Sequence, residues 1–237
     1  RGSRVLWFVY KRQICLSGNI CIYFIQSITS LVSDTLLTNF KYGNYGLGTL
    51  NPLGIHLGLE FEGRENIEFP KSGYFLKFTS TIFPALDNVP ENFYRTNFDV
   101  RGYFTPGFMS FATFALRAGG TKVWGKYPFF AGATIGGQEN VRGYNDKRFS
   151  GDASLFGQAE LRLFIADLKL ILKSKLGINV FIETGRVFTT NDNSNKWHPS
   201  YGAGIWLDYF HSEIIPTAYV AFSPDRTTFA FGLGVGF

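Results

Sequence analysis

Residues 229–237 read "FAFGLGVGF". Phe229, Phe231, Leu233, Val235 and Phe237 fall on one parity, and Ala230, Gly232, Gly234 and Gly236 on the other. Strict alternation is the period of a β-strand, whose successive side chains point to opposite faces. A large apolar face backed by bare glycine fits a membrane barrel wall more simply than a soluble core. The bulky face meets lipid, and the glycine face lets something pack close inside. The pattern predicts a terminal strand over 227–237.

The same period recurs upstream. In "GIHLGLEFE" (54–62), Ile55, Leu57, Leu59 and Phe61 share one face, while His56, Gly58, Glu60 and Glu62 take the other. In "YRTNFDVRGYF" (94–104), Arg95, Asn97, Asp99 and Arg101 line up opposite Tyr94, Phe98, Val100 and Phe104. The charged row reads as lumen lining, which sets pore polarity. Further strands are predicted over 73–83, 108–119, 153–165, about 174–186, 200–209 and 214–222. Each is about 10 residues, the length a tilted strand needs to cross a bilayer. Connections alternate between short ones such as "TPG" (105–107) and longer polar ones such as "TNDNSNKWHPS" (190–200), the habit of outer-membrane barrels.

Residues 1–53 are apolar without clean alternation. "RVLWFVYKRQICL", "GNICIYFIQSIT" and "TLLTNFKYGNYGLG" supply three more strands. With nine from residue 54 onward, about twelve result, an even number that leaves both ends on the periplasmic side. The expected fold is all-β, a transmembrane antiparallel β-barrel. Its N-terminal strands lie in 1–53, its main barrel region spans 54–237, and a long loop at 120–152 folds into the lumen. Hydrocarbon offers no partners to backbone N–H and C=O groups, so such strands cross only as a closed sheet. If these strands are not the whole barrel, the first and last must pair with each other or with a second chain.

Composition agrees. Charged residues make up 17% of the chain and aromatic residues 18%, with 27 Gly and 26 Phe. Soluble domains carry about a quarter charged residues. The net charge of +5 is spread along the chain rather than clustered, which argues against nucleic-acid binding. No run of about 18 apolar residues supplies a transmembrane helix. The nearest, 14–32, is broken by Ser17, Gly18, Asn19, Gln26 and Ser27. Behind Lys11 and Arg12 it also reads as a signal-peptide core. The chain starts at Arg1 without an initiator Met, which suggests a processed or truncated chain. Cys15 and Cys21 flank "LSGNI" and could be a disulfide across a tight turn or two free thiols; two are too few for a structural zinc.

No catalytic motif is present: no G-x-S-x-G, H-E-x-x-H, P-loop or strand-following G-x-G-x-x-G. His56, His198 and His211 are scattered over different strands or loops, and His56 beside Glu60 reads as a satisfied lumen histidine. "GLGVG" near the end is a strand with no helix after it. No catalytic residue, metal or cofactor is expected.

The stretch "GGQENVRGYNDKRFSGD" (136–152) resembles the BamA/TamA-type family of outer-membrane assembly barrels. "RENIEFPKSGYFLKF" (64–78), "QAELRL" (158–163), "NVFIETGRVF" (179–188), "YGAGIWLDY" (201–209) and a terminal strand ending in Phe237 follow the family's order and spacing. The likeness covers roughly three-quarters of the chain. It implies that a long loop carrying Val141, Arg142, Gly143 and Tyr144 folds back into the lumen, with Arg142 at its tip. The usual partner lies in an F-x-D-x-G segment on the next strand but one. Here "FIETG" (181–185) puts Glu183 in that role, followed by Gly185; Glu for Asp adds one methylene.

The residues alone support part of this. Alternation within 177–185 sets Gly177, Asn179, Phe181 and Glu183 on one face and Ile178, Val180 and Ile182 on the lipid face. A guanidinium can grip a carboxylate in two-pronged fashion, giving direction as well as charge. Gly143 would let the tip turn sharply, and Tyr144 would pack against the inner wall. The plainer alternative is that Arg142 is an exposed loop charge and Glu183 an ordinary lumen charge. Glu160 and Arg162 also point inward and read as general lumen polarity rather than as specific partners.

Functionally, the resemblance implies a bacterial outer-membrane barrel that inserts or exports proteins through a seam between its first and last strands. An incoming strand would add to the unsatisfied edge. Gly232, Gly234 and Gly236 would weaken the last strand and permit a kink, marking the seam together with Phe237. The partners are outer-membrane lipid, other assembly subunits and client β-barrel proteins. The family's soluble periplasmic domains are not visible in these residues, so substrate capture would fall to a partner subunit or to sequence upstream. The alternatives are a passive pore, an export barrel for a passenger domain, or a structural subunit of an outer-membrane complex.

Overall fold

The computed structural model describes the backbone of residues 7–16, 20–29, 48–50, 52–86, 89–169, 173–190, 195–209, 214–234 and 236–237, with side chains from residue 52 onward. Alternating sequence becomes strand along nearly all of it. The strands are β1 (Trp7–Leu16), β2 (Ile20–Thr29), β3 (Gly48–Leu50), β4 (Leu53–Glu62), β5 (Gly73–Phe83), β6 (Phe93–Phe104), β7 (Ala112–Gly125), β8 (Ala133–Ile135), β9 (Phe149–Gly151), β10 (Ala153–Lys169), β11 (Lys173–Phe188), β12 (His198–Tyr209), β13 (Pro216–Phe222) and β14 (Thr227–Leu233). Helical structure among the described residues is limited to single 3₁₀ turns at Gly107–Met109 and Phe129–Ala131. No helix among them is long and apolar enough to cross a membrane.

Among the described residues, twelve strands form one sheet in the order β1-β2-β4-β5-β6-β7-β10-β11-β12-β13-β14, with β3 also on β2; β8 and β9 pair separately. The ladders β1–β2 and β2–β4, and those from β10 through β14, are antiparallel. β3 and β4 lie on successive stretches of β2: Ser27–Thr29 face β3 and Ile20–Phe24 face β4. They act as one interrupted strand, so the order has eleven positions. Cys15 and Cys21 are register partners in the β1–β2 hairpin, but their side chains lie outside the described residues. So do 30–47, which hold most of the predicted third strand, and His211.

Several boundaries differ from expectation, among them the end of β10 at Lys169 rather than 165. The predicted strand 108–119 begins at Ala112 and runs to Gly125, because Pro106 opens a 3₁₀ turn with Met109 N–H donating to its carbonyl. The long loop therefore starts at residue 126 rather than 120. The terminal strand ends at Leu233, not at 237. Gly234 has φ +91°, a left-handed conformation that suits glycine, and it takes the chain out of the ladder. The parity that put Phe237 on the lipid face stops there, and Phe237 is half-buried. Val235 lies outside the described residues.

The chain divides into two compact units. The first comprises Arg1–Glu60, Lys77–Phe98 and Thr121–Ala133. Its core gathers Phe83, Val89, Phe93, Val123, Tyr127, Ala131 and Ala133, with the Phe83 and Phe93 rings stacked at 4.4 Å. His56 shares a 2.8 Å hydrogen bond with Thr81. Arg95 donates to Asn97 Oδ1 and to the Ala131 carbonyl.

The second unit comprises Phe61–Leu76, Asp99–Gly120 and Thr134–Phe237, and it holds the candidate site. Its strands have one covered and one open face. On β11, Gly177, Asn179, Phe181 and Glu183 are buried, whereas Ile178, Val180 and Ile182 are exposed. Glycine and aromatic residues face each other across the covered side of β11 and β12. A Cβ on Gly177 would lie 2.0 Å from its register partner Trp206, and one on Gly202 would lie 2.4 Å from its partner Phe181. The missing side chains make room for large rings on an otherwise crowded face.

The open apolar face needs hydrocarbon against it. Ile182 is 64% exposed. Ile182→Lys is expected to lower stability by about 2–4 kcal/mol in lipid vesicles if the position lies near the bilayer midplane. Urea titration of the folded protein in vesicles measures this; no loss would mean that the face does not meet lipid.

Candidate functional site

The segment from Thr134 to Asp152 lies over the covered face of β10–β12. Ile135, Val141 and Tyr144 anchor it by packing with Phe149, Phe156 and Val187. Gly185 lies under this cluster: a Cβ there would approach Val141 at 3.0 Å and Ile135 at 3.1 Å. Gly143 has φ +90°, the left-handed turn that brings the tip round. Tyr144 donates its hydroxyl to the Pro199 carbonyl at 3.1 Å and meets the His198 ring edge-on. Burial, together with the charge of Asp225, raises the Tyr144 pKa and keeps the phenol a donor.

Arg142 sits at the centre and is 3% exposed. Its Nε donates to Glu183 Oε1 at 2.6 Å, and its main-chain N–H donates to Glu183 Oε2, also at 2.6 Å. Its Nη2 donates to Glu160 Oε2 at 3.1 Å. The guanidinium carbon lies over the Phe181 ring, 3.5 Å from its centre. A desolvated cation–π contact of this kind contributes about 2 kcal/mol.

Glu160 and Arg162 are not general polarity: they are members of the same cluster. Glu160 Oε1 accepts from Arg162 Nε at 2.9 Å, while its other oxygen holds Arg142. Arg162 reaches on to the Pro70 carbonyl and the Phe237 main-chain oxygen. Two arginines and two glutamates thus neutralise one another in a buried space. Burying a lone charge costs far more than burying such a matched set.

A second cluster adjoins the first. Asp99 receives two hydrogen bonds from Arg101, at 3.1 and 2.8 Å, and two from Arg117, at 2.9 and 2.7 Å. Arg117 Nη1 also donates to the Glu139 carbonyl of the loop at 2.7 Å. Gln158 joins the clusters: its Oε1 accepts from Arg117 at 3.2 Å, and its Nε2 donates to Glu183 at 2.9 Å. The polar chain is continuous from Arg101 through Gln158 and Glu183 to Arg162.

The loop also ties to the turn between β13 and β14. Ser223 Oγ donates to the Gly143 carbonyl at 2.8 Å, Arg148 pairs with Asp225 at 3.0 Å, and Arg226 donates to Asn145 Oδ1. Asp152 accepts from the Thr190 amide and hydroxyl. Of the loop's charges, Arg142, Arg148 and Asp152 thus have partners, whereas Asp146 and Lys147 are exposed.

The site residues fall into distinct places. Arg142, Glu183, Glu160 and Arg162 come together, and Val141, Tyr144 and Gly185 pack around them. Asp99 and Arg101 belong to the adjoining cluster, whereas Arg95 lies in the first unit. Gly232 is on β14, Gly234 ends it, and Gly236 and Phe237 leave it for the covered face. Sequence reasoning missed Arg117, Gln158 and Ser223. Gln158 shares parity with Glu160 and Arg162, so a run of polar residues at one parity was the available signal. Ser223 sits in a turn, where parity says nothing.

Removing one partner from a buried ion cluster costs about 3–5 kcal/mol because the others are left uncompensated. Arg142→Ala is therefore expected to free the loop and expose it to limited proteolysis within 136–148. A cleavage pattern matching the unmutated protein would contradict the docking. Gly185→Val is expected to shift cleavage in the same direction through Val141 and Ile135.

Comparison with known proteins identifies the family and the fold. The Omp85 superfamily domain matches residues 26–236. Comparison with curated proteins finds no match. Among solved structures, the chain is similar to BamA from Haemophilus ducreyi lacking POTRA domains 1–3, with a TM-score of 0.66 and 13% identity. The alignment covers 92% of this chain and 51% of that one, so this chain spans about half the length of that BamA. At that identity the likeness speaks to the fold alone, an all-β barrel architecture. With the family matched over most of its length, the chain belongs to the Omp85 superfamily.

Proposed function

We propose that this chain inserts or exports proteins at a bacterial outer membrane through a seam beside its last strand, with the Arg142 loop held on the lumen face. The observation that carries the reading is the buried Arg142–Glu183–Glu160 cluster, which holds a long polar loop against the wall. The seam finds support in the strand ladders. β10 and β11 pair over 16 register positions, whereas the last two ladders, β12–β13 and β13–β14, pair over only 6 and 7. Phe229, Phe231 and Leu233 on β14 are each at least 76% exposed. A short, glycine-ended strand is the one most easily released from the sheet.

The partners on this reading are outer-membrane lipid, client β-barrel proteins and other assembly subunits. No reaction chemistry, metal or cofactor enters it. A passive pore is the weaker alternative, since the covered face of β10–β12 is occupied by the loop. An export barrel for a passenger domain, or a structural subunit, would leave client assembly untouched. Depletion of the protein, followed by measurement of the amount and folded fraction of other outer-membrane proteins, separates these readings. Assembly predicts that both fall; unchanged levels and folding would overturn it.

A further inference from the structure

We infer that Arg162, Tyr103 and Arg117 form a receptor for a glycine–aromatic segment, filled here by Gly236 and Phe237, and that its occupancy secures the loop through the Glu160 carboxylate. The inference does not depend on protein assembly being the task.

The segment enters the site from a fixed hinge. Gly234 donates its N–H to the Ile215 carbonyl at 2.8 Å, and its own carbonyl accepts from Thr217 Oγ1 at 2.9 Å. Beyond the hinge, Phe237 meets groups from β6, β7 and β10. Its main-chain oxygen accepts from Arg162 Nη2 at 3.0 Å and from the Tyr103 hydroxyl at 3.2 Å. Its ring lies 5.8 Å from the Arg162 guanidinium, 5.9 Å from that of Arg117, and 6.2 Å from the Tyr103 ring. An aromatic ring within 6 Å of two cations, with its main-chain oxygen doubly bound, is recognition of both side chain and backbone. Arg162 is itself fixed by Glu160 and the Pro70 carbonyl, so the receptor is pre-set.

The position before the aromatic must be glycine. A Cβ on Gly236 would lie 2.4 Å from Glu160 Oε2. That same oxygen accepts from Arg142 Nη2. Any side chain at 236 therefore has to push aside the atom that helps hold the loop. Arg117 adds a second route, since it faces the Phe237 ring and also donates to the loop carbonyl of Glu139. The ligand class is an extended polypeptide segment with glycine before an aromatic residue, offered in cis by this chain and in trans by a peptide of the same pattern.

The test measures protease cleavage within 136–148 in the full chain, in micelles, for Gly236→Leu and Phe237→Ala. Neither change alters a loop residue. Heat-modifiable migration on gels reports folding in both. Gly236→Leu is expected to speed cleavage about tenfold, as the open form becomes more populated, and Phe237→Ala to speed it less. A synthetic peptide, AFGLGVGF, at millimolar concentration is expected to restore protection to Phe237→Ala, and the same peptide ending in Ala is not. If Gly236→Leu does not fold, Phe237→Ala and its rescue carry the test. Cleavage as slow as in the unmutated protein, or no difference between the two peptides, would overturn the inference.

Discussion

A guanidinium buried between two carboxylates holds its place only while both remain, and the second unit is arranged around that condition. Glu183 projects from β11 and Glu160 from β10, and the antiparallel register sets both on one covered face. Arg142 arrives from the loop and closes the charge balance with Arg162. Every other feature of the site serves to let that arginine reach or to keep water away. Gly143 turns the tip, Gly185 leaves room for Val141, and Phe181 gives the guanidinium a flat surface. The energy at stake is that of a matched set rather than of a surface ion pair, which contributes about 1 kcal/mol or less.

The same economy explains the glycines of the wall. Trp206 lies over Gly177 and Phe181 over Gly202, so large rings fit on the covered face without forcing the strands apart. The opposite parity carries isoleucine and valine, which need no polar partner in hydrocarbon. One strand thus answers two solvents, and its period of two keeps them separate. At Gly234 that separation ends, and the chain passes from the open face to the covered one.

Much of this was legible in the sequence, and the reasons differ by element. Strand existence and facing were readable because period two is imposed by backbone geometry; β5 (Gly73–Phe83) matches the predicted span at both ends. The Arg142–Glu183 contact was named from a likeness to a family, with parity placing Glu183 on the inner side. The specific role of Glu160 and Arg162 was not readable, because parity gives a face but not the loop arginine, Arg142, that arrives over it. The end of β14 was misjudged because "GLGVGF" keeps perfect alternation while Gly234 adopts a conformation that alternation cannot report. Gln158 and Arg117 were passed over for a similar reason: a bridging residue is recognised only once both things it bridges are in place.

The central claim is that Arg142 and Glu183 act as one unit in holding the loop. A double-mutant cycle with Arg142→Met and Glu183→Gln, read by hydrogen exchange of the loop amides in the folded protein, tests it most directly. The account predicts strong coupling: the double variant loses far less protection than the two single losses combined, by about 1 kcal/mol or more. Additive losses would mean that the two residues act independently, and the loop would then be held by something else.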